Sequence, residues 1–176
     1  CIRDRMSAKH AFVAAMVMGY AGIAVLAMLV NLLSAGLALL TIVLYVAVYT
    51  PLKPRSTTNT LVGAVCGAIP PMIGWAAATG TLDARAWLLG AVLFVWQLPH
   101  FFALAWLYRE DYARGGYRML PVLDPSGRLT AQVVVVTTLM LLPIGLLATM
   151  LGIAGWIFAL GSVVLTGWML RLAIVM

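Results

Sequence analysis

The sequence predicts an all-α polytopic membrane protein of about six transmembrane helices, and three observations predict it. The 176 residues are 64% hydrophobic and only 9% charged, with a mean hydropathy of +1.07, whereas a soluble domain carries roughly 25% charged residues. A water-soluble chain of this size would have to make its surface from apolar side chains, so lipid is the solvent. Six apolar stretches follow one another, each near the ~20 residues that cross a hydrocarbon core at about 1.5 Å per residue. The basic residues fall almost entirely on one side of the arrangement these stretches define.

The spans are drawn at about 11–30, 33–50, 60–79, 86–107, 129–151 and 154–174, and the chain reads as a single partial transmembrane domain. Asn31-Leu32 is so short a connector that the first two spans must be antiparallel neighbours, and so must the last two, joined through Gly152 to Gly155. The connectors Pro51 to Asn59 and Tyr108 to Arg128 are longer and polar. In the third span Gly63, Ala64, Gly67 and Ala68 have the spacing that lets membrane helices approach closely. Pro70-Pro71 removes two backbone donors and is expected to kink that span, opening a cavity toward the N-terminal side.

With the N-terminus on side A, Arg3, Arg5, Lys9, Lys53, Arg55, Arg109, Arg114, Arg118, Arg128 and Arg171 all lie on side A and only Arg85 on side B, 10 of 11 Lys+Arg. Side A is therefore read as cytoplasmic, and both long connectors with it. The chain starts Cys1-Ile2-Arg3 and shows no signal peptide, so it is expected to be an internal stretch of a longer protein.

These features also exclude function classes. The formal charge of +6 comes from single cations between apolar stretches and forms no nucleic-acid patch. An anionic small ligand or lipid headgroups suit it better. Cys1 and Cys66 lack metal or C-x-x-C spacing and read as small hydrophobes, and His10 with His100 has no ligand spacing either.

Polar chemistry collects in two segments. YTPLKPRSTTNT, Tyr49 to Thr60, leaves the second span with an aromatic hydroxyl, Lys53, Arg55 and small polar groups ending in Asn59, on a turn stiffened by Pro51 and Pro54. A mobile ammonium beside a planar guanidinium suits phosphate oxygens. WQLPHFFALAWLYREDYARGGYRMLPV, Trp96 to Val122, places Gln97 and His100 inside an apolar span, where polar groups need partners. Continued helically past its end, the fourth span would put Gln97, His100 and Asp111 on one stripe, with roughly 16 Å between imidazole and carboxylate. They would line one groove without forming a dyad. Glu110 and Asp111 among Arg109, Arg114 and Arg118 suit a magnesium ion whose phosphate partners the arginines hold. Cations and carboxylates above an apolar interior fit a substrate with an anionic head and a long apolar tail. The residues alone leave open a transferase acting on a lipid diphosphate and a carrier or flippase for the same kind of amphiphile.

The runs YTPLKPRSTTNTLVGAVCGAIPPMIGW, Tyr49 to Trp75, and Trp96 to Val122 closely resemble the protoheme IX farnesyltransferases, or heme O synthases, a family of UbiA-type membrane prenyltransferases. The likeness in hydrophobic architecture extends along the whole chain. The resemblance implies a nine-helix bundle, of which this chain supplies roughly the third to eighth helices. It implies transfer of farnesyl from farnesyl diphosphate to a vinyl group of protoheme IX, giving heme O for terminal oxidases, with Mg2+ holding the diphosphate. Further implied are a bacterial inner-membrane location and a link to heme A synthase or terminal-oxidase assembly.

Carried over by motif, Tyr49 and Asp111 are the expected catalytic residues, with Asp111 the metal ligand. Lys53, Arg55, Asn59 and Arg118 are the expected diphosphate-binding residues, and Gln97 and His100 the expected heme-binding or orienting residues. Tyr49 has two candidate roles, the ring face toward a carbocation or the hydroxyl toward diphosphate. His100 has three: the heme iron, a propionate, or structure. The family's first aspartate motif is not recognisable: Arg3-Asp4-Arg5 lacks its paired aspartates, and Gly115 stands where many related enzymes have a second aspartate four residues after the one matched by Asp111. This chain by itself is accordingly expected to be inactive.

Overall fold

The structure, a computed structural model, describes residues 7–175; Cys1, Arg3-Asp4-Arg5 and Met176 lie outside the described residues. Among these the chain is helical, with six helices long and apolar enough to cross a membrane: Ala8–Leu29, Leu32–Leu52, Asn59–Thr79, Ala84–Leu107, Arg128–Met150 and Trp156–Ile174. Each agrees with an expected span to within a few residues.

Capping chemistry explains where they start and stop. Helix α1 (Ala8–Leu29) begins at Ser7, whose hydroxyl accepts the N–H of His10. Helix α2 (Leu32–Val43) begins at Asn31, whose Oδ1 accepts the N–H of Ser34 at 2.8 Å, satisfying a donor that the helix cannot. A π-helical stretch, Leu44–Tyr49, and a short turn α3 (Thr50–Leu52) prolong it. Helix α4 (Asn59–Thr79) ends on Gly80 at φ 73°, a conformation that glycine adopts without steric cost. Asp83 caps α5 (Ala84–Leu107) by accepting the N–H groups of Arg85 and Ala86. Short helices α6 (Arg109–Arg114) and α7 (Leu120–Leu123) lie in the long polar connector. Helices α8 (Arg128–Met150) and α9 (Trp156–Val175) complete the bundle.

Because consecutive spans alternate in direction, each packs mainly on its chain neighbours: α1 on α2, α2 on α4, α4 on α5, α5 on α8, α8 on α9. Burial follows this order. Helix α1, at one end, buries no residue, while α5, in the middle, buries nine, among them Gln97, Leu98 and Phe102. Leu98 and Phe102 join Ala64, Val134 and Ala173 in a core spanning α4, α5, α8 and α9.

Small residues set the spacing, as is usual where no hydrophobic effect drives helices together. A Cβ on Gly90 would meet the Met72 sulfur at 2.8 Å, and one on Gly145 the Ser162 hydroxyl at 2.7 Å. Across the α2–α4 contact, Asn31 Nδ2 donates to the Ala76 carbonyl at 2.8 Å. The expected kink does not interrupt α4, which continues as α-helix through Pro70 and Pro71. Its glycines Gly63 and Gly67 make room beside it for Tyr49 and Gln97.

Candidate functional site at the polar end of the bundle

Pro51 has no N–H to offer the preceding turn, and its ring crowds that turn's carbonyl. The chain just before it widens into the π-helical stretch, a feature often found at functional sites. The Thr50 N–H and hydroxyl both reach back to the Tyr45 carbonyl, the hydroxyl at 2.8 Å. The rings of Tyr45 and Tyr49 lie 5.0 Å apart, and one turn on, the Lys53 ammonium sits 4.5 Å from the Tyr49 ring centre and 5.9 Å from that of Tyr45. Tyr117, from the other polar connector, presents a third ring at 5.9 Å. Lys53 thus sits among three π faces, which attract a cation electrostatically.

The two polar segments, whose Arg55 and Arg118 are 63 residues apart in sequence, are hydrogen-bonded to one another. Arg118 N donates to the Lys53 carbonyl at 2.9 Å, and its guanidinium reaches the Arg55 carbonyl at 3.4 Å. Asn59 Nδ2 donates to the carbonyls of Ser56 at 2.6 Å and Arg118 at 3.2 Å. Lys53, Arg55 and Arg118 therefore belong to one cationic cluster. Among the described residues, none of the three forms an ion pair. Asn59, expected among the diphosphate-binding groups, is 0% exposed; with its amide occupied by two carbonyls, it holds the loops and presents nothing outward.

Below the cluster lies a cavity of about 120 Å³ lined by Tyr49, Thr60, Gly63, Phe101, Leu104, Tyr112 and Met119. Gly63 makes room for the tyrosine, since a Cβ there would stand 2.9 Å from Tyr49 Cε2. One turn deeper, a Cβ on Gly67 would come within 2.7 Å of Gln97 Cδ. Gln97 is buried against α4, its Nε2 donating to the Leu93 carbonyl at 2.9 Å.

His100 is elsewhere. Exposed within the span, it stacks on Trp96 at 5.5 Å and 9° and lines a groove of about 280 Å³ with Thr138 of α8 and Met169 and Leu172 of α9. Gln97 and His100, about 60° apart around α5, thus face different neighbours, Gln97 toward α4 and His100 toward α8 and α9. The expected stripe also fails at its far end. Tyr108, at φ −104° and ψ 25°, breaks the helix before α6 begins, and the side chain that reaches the Tyr49 cavity is Tyr112, not Asp111. Asp111 is exposed, ion-paired with Arg114, and lines a shallower depression with Trp106, Arg109 and Glu110.

The long connector is anchored by Trp106, Gly127 and Asp124, none of them among the expected site residues. Trp106 packs against Gly127, where a Cβ would be 2.6 Å from its ring and φ is +71°, and the Arg109 guanidinium lies 4.3 Å from the centre of that ring. Asp124 is buried. Its Oδ2 accepts the Thr130 N–H at 2.8 Å and hydroxyl at 2.9 Å, and its Oδ1 the Ser126 hydroxyl at 3.0 Å. Donation from the Thr130 backbone, more than offsetting burial, holds the carboxyl below its ordinary range. The run Asp124-Pro125-Ser126-Gly127 carried the signal, an Asp-Pro turn leading into a helix.

The description "UbiA prenyltransferase family" matches residues 1–176. The chain belongs to this family. Its similarity to individual UbiA-family proteins runs nearly its full length. It is 45% identical over 166 residues to the protoheme IX farnesyltransferase of Solibacter usitatus, covering 94% of this chain and 57% of that protein. To the mitochondrial protoheme IX farnesyltransferase of Arabidopsis thaliana it is 48% identical over 162 residues, covering 92% of this chain and 38% of the relative. To the human mitochondrial protein of that name it is 52% identical over 137 residues, covering 78% and 30%. The chain thus spans about half, or less, of the length of these curated relatives. No solved structure matches it.

For a UbiA-type prenyltransferase, the magnesium expected with a diphosphate can be tested against the side chains present. Among the described residues, no three His, Cys, Asp or Glu side chains converge on a point. Asp111 is solvent-facing, paired with Arg114 and beside Glu110, so this stretch offers at most two adjacent carboxylates. That is compatible with magnesium, which commonly binds one or two carboxylates and takes its other ligands from phosphate and water.

Proposed function

We propose that the protein to which this chain belongs transfers the farnesyl group of farnesyl diphosphate to a vinyl group of protoheme IX, forming heme O for terminal oxidases. One observation carries the reading: Lys53, Arg55 and Arg118, from two distant connectors, are gathered over a tyrosine-lined cavity at one end of an apolar bundle. Membership of the UbiA family and the name shared by the relatives support the choice of substrates. A cationic rim suits the diphosphate head, and the apolar helices below it suit the fifteen-carbon tail.

In this reading Lys53, Arg55 and Arg118 bind the diphosphate and neutralise charge as the allylic C–O bond breaks, the step where preorganised cations are most effective. The bonding electrons leave with the diphosphate. Tyr49 offers its ring face to the allylic cation or its hydroxyl to the diphosphate. The vinyl carbon then bonds to the farnesyl carbon, and water adds to the resulting cation and gives up a proton to solvent, leaving the hydroxyl. Magnesium, when bound by Asp111 and diphosphate oxygens, supplies Lewis-acid charge neutralisation. Asn59 acts by holding the cations, not by touching the anion. His100, in the separate groove beside Trp96, is the heme-orienting candidate, with Gln97 set deeper against α4. The polar end is cytoplasmic, in a bacterial inner membrane, supported by the gathering of all described Lys and Arg except Arg85 on that side. Product is passed to heme A synthase or to oxidase assembly.

The test is Lys53→Ala in the whole protein, with binding of each substrate measured separately. Farnesyl diphosphate affinity should fall by about tenfold or more, as for loss of a charge-assisted phosphate contact, while protoheme affinity holds. Equal loss of both, or loss of protoheme alone, would overturn the assignment.

A further inference from the structure

Asn59 stands at 0% exposure between two loops whose cations are assigned above to a diphosphate. Its amide nitrogen carries two hydrogens, and each goes to a different loop, one to the Ser56 carbonyl and one to the Arg118 carbonyl. Arg118 returns two bonds, from its backbone to the Lys53 carbonyl and from its guanidinium to the Arg55 carbonyl. The carbonyls of Lys53, Arg55, Ser56 and Arg118 are thereby all engaged inside the joint. An idle carbonyl turned toward a phosphate would repel it; engaged ones leave the three cationic side chains to dominate the local field. An aliphatic residue in place of Asn59 would take this donor from the Arg118 carbonyl and leave the Ser56 carbonyl with only the backbone N–H of residue 59, at 3.4 Å, and a hydroxyl could replace only one of the two side-chain bonds.

We propose that Asn59 is a positioning residue for diphosphate binding: its buried amide splices the loop bearing Lys53 and Arg55 to Arg118, so that cations from two connectors act on one anion. The proposal rests on the diphosphate assignment above and adds to it a residue that never touches the substrate. Burial and the two-sided donation argue against a direct ligand role, because a diphosphate could reach this nitrogen only by entering a buried position and displacing a carbonyl already bound there.

A double-mutant cycle separates this role from a general stabilising one. Binding of inorganic diphosphate is measured by calorimetry on the detergent-solubilised whole protein, as wild type, Asn59→Ala, Arg118→Ala and the double variant, with protoheme binding followed in parallel. Asn59→Ala should weaken inorganic diphosphate by about tenfold, the size expected when buried acceptors lose their donor, with protoheme binding retained. The double variant should bind scarcely less well than Arg118→Ala alone, since Asn59 acts through the placement of that arginine. Additive losses, unchanged diphosphate binding in Asn59→Ala, or equal loss of protoheme would each overturn the proposal. If Asn59→Ala fails to fold, Asn59→Ser, which keeps one donor, carries the same cycle with an intermediate loss. Failure of the wild-type protein to bind diphosphate at all would instead overturn the functional reading on which the proposal rests.

Discussion

Replacing Gly67 by alanine tests the packing beneath the site through a single methyl group. The new Cβ would stand 2.7 Å from Gln97 Cδ and 2.9 Å from its Nε2, where nonbonded contact needs about 3.5 Å or more. The Gln97 Oε1 would be closer still, so the carboxamide must retreat by about 1 Å or more, which disturbs the hydrogen bond that Nε2 now makes to the Leu93 carbonyl at 2.9 Å. Overpacking costs about 1–3 kcal/mol, and a buried amide deprived of its partner adds about 1–3 kcal/mol; partial relaxation should leave a net loss of about 2–4 kcal/mol. Gln97→Ala in the same background removes the clashing group, so the two substitutions should couple favourably by about 1–3 kcal/mol. Thermal unfolding of the detergent-solubilised whole protein, comparing the two single variants with the double, reads this directly. If Gly67→Ala is as stable as the wild type, or if Gln97→Ala brings no relief, Gln97 does not pack on Gly67 and the assignment of α5's two faces fails.

Asp111→Asn keeps the residue's size and removes the charge that a hard cation needs. Turnover should fall by at least about tenfold and the magnesium dependence of farnesyl diphosphate binding should largely vanish; unchanged turnover with unchanged magnesium dependence would place Asp111 outside the site. For Asp124, whose folded-state carboxyl lies below its ordinary value, the stabilisation is complete above the unfolded value of about 3.9 and is lost as pH falls through the lower folded one. The wild-type melting temperature should therefore drop more steeply below about pH 4 than that of Asp124→Asn, and parallel pH profiles would refute the role given to Asp124. Gly127→Ala meets the Trp106 ring and a positive φ together; it should cost about 2–4 kcal/mol in thermal unfolding, and a neutral result would mean that this anchor does not hold the connector.

The spans could be read from the sequence because an apolar run of membrane length has few other uses, and short connectors such as Asn31-Leu32 force antiparallel neighbours. The meeting of Lys53 and Arg55 with Arg118 could also be read: alternating spans return both polar connectors to the same side, and the hydrogen bonds between them follow from that proximity. Facing was harder. Gln97 and His100 are three residues apart, about 60° around a helix axis, and that angle straddles the boundary between the neighbour on one side, α4, and those on the other, α8 and α9. Asp111 was carried on a helical phase that ends at Tyr108, so the group at the cavity is Tyr112. Pro70-Pro71 pointed to a kink, and α4 continues as helix through both prolines. Tyr45 and Tyr117 gave no signal, because an aromatic residue near a membrane boundary reads first as an interfacial anchor.

The fate of the farnesyl carbon is the most direct readout of the proposed transfer. The whole protein, purified in detergent or reconstituted in vesicles, is given farnesyl diphosphate, protoheme IX and magnesium, and the organic extract is resolved by mass spectrometry while free diphosphate is assayed. Heme carrying a hydroxyethylfarnesyl side chain should form in step with released diphosphate, and its formation should be suppressed in Lys53→Ala. Intact farnesyl diphosphate and unmodified protoheme, whether or not either has crossed the bilayer, would refute the proposed transfer, as would farnesyl transfer to a quinone ring in place of heme.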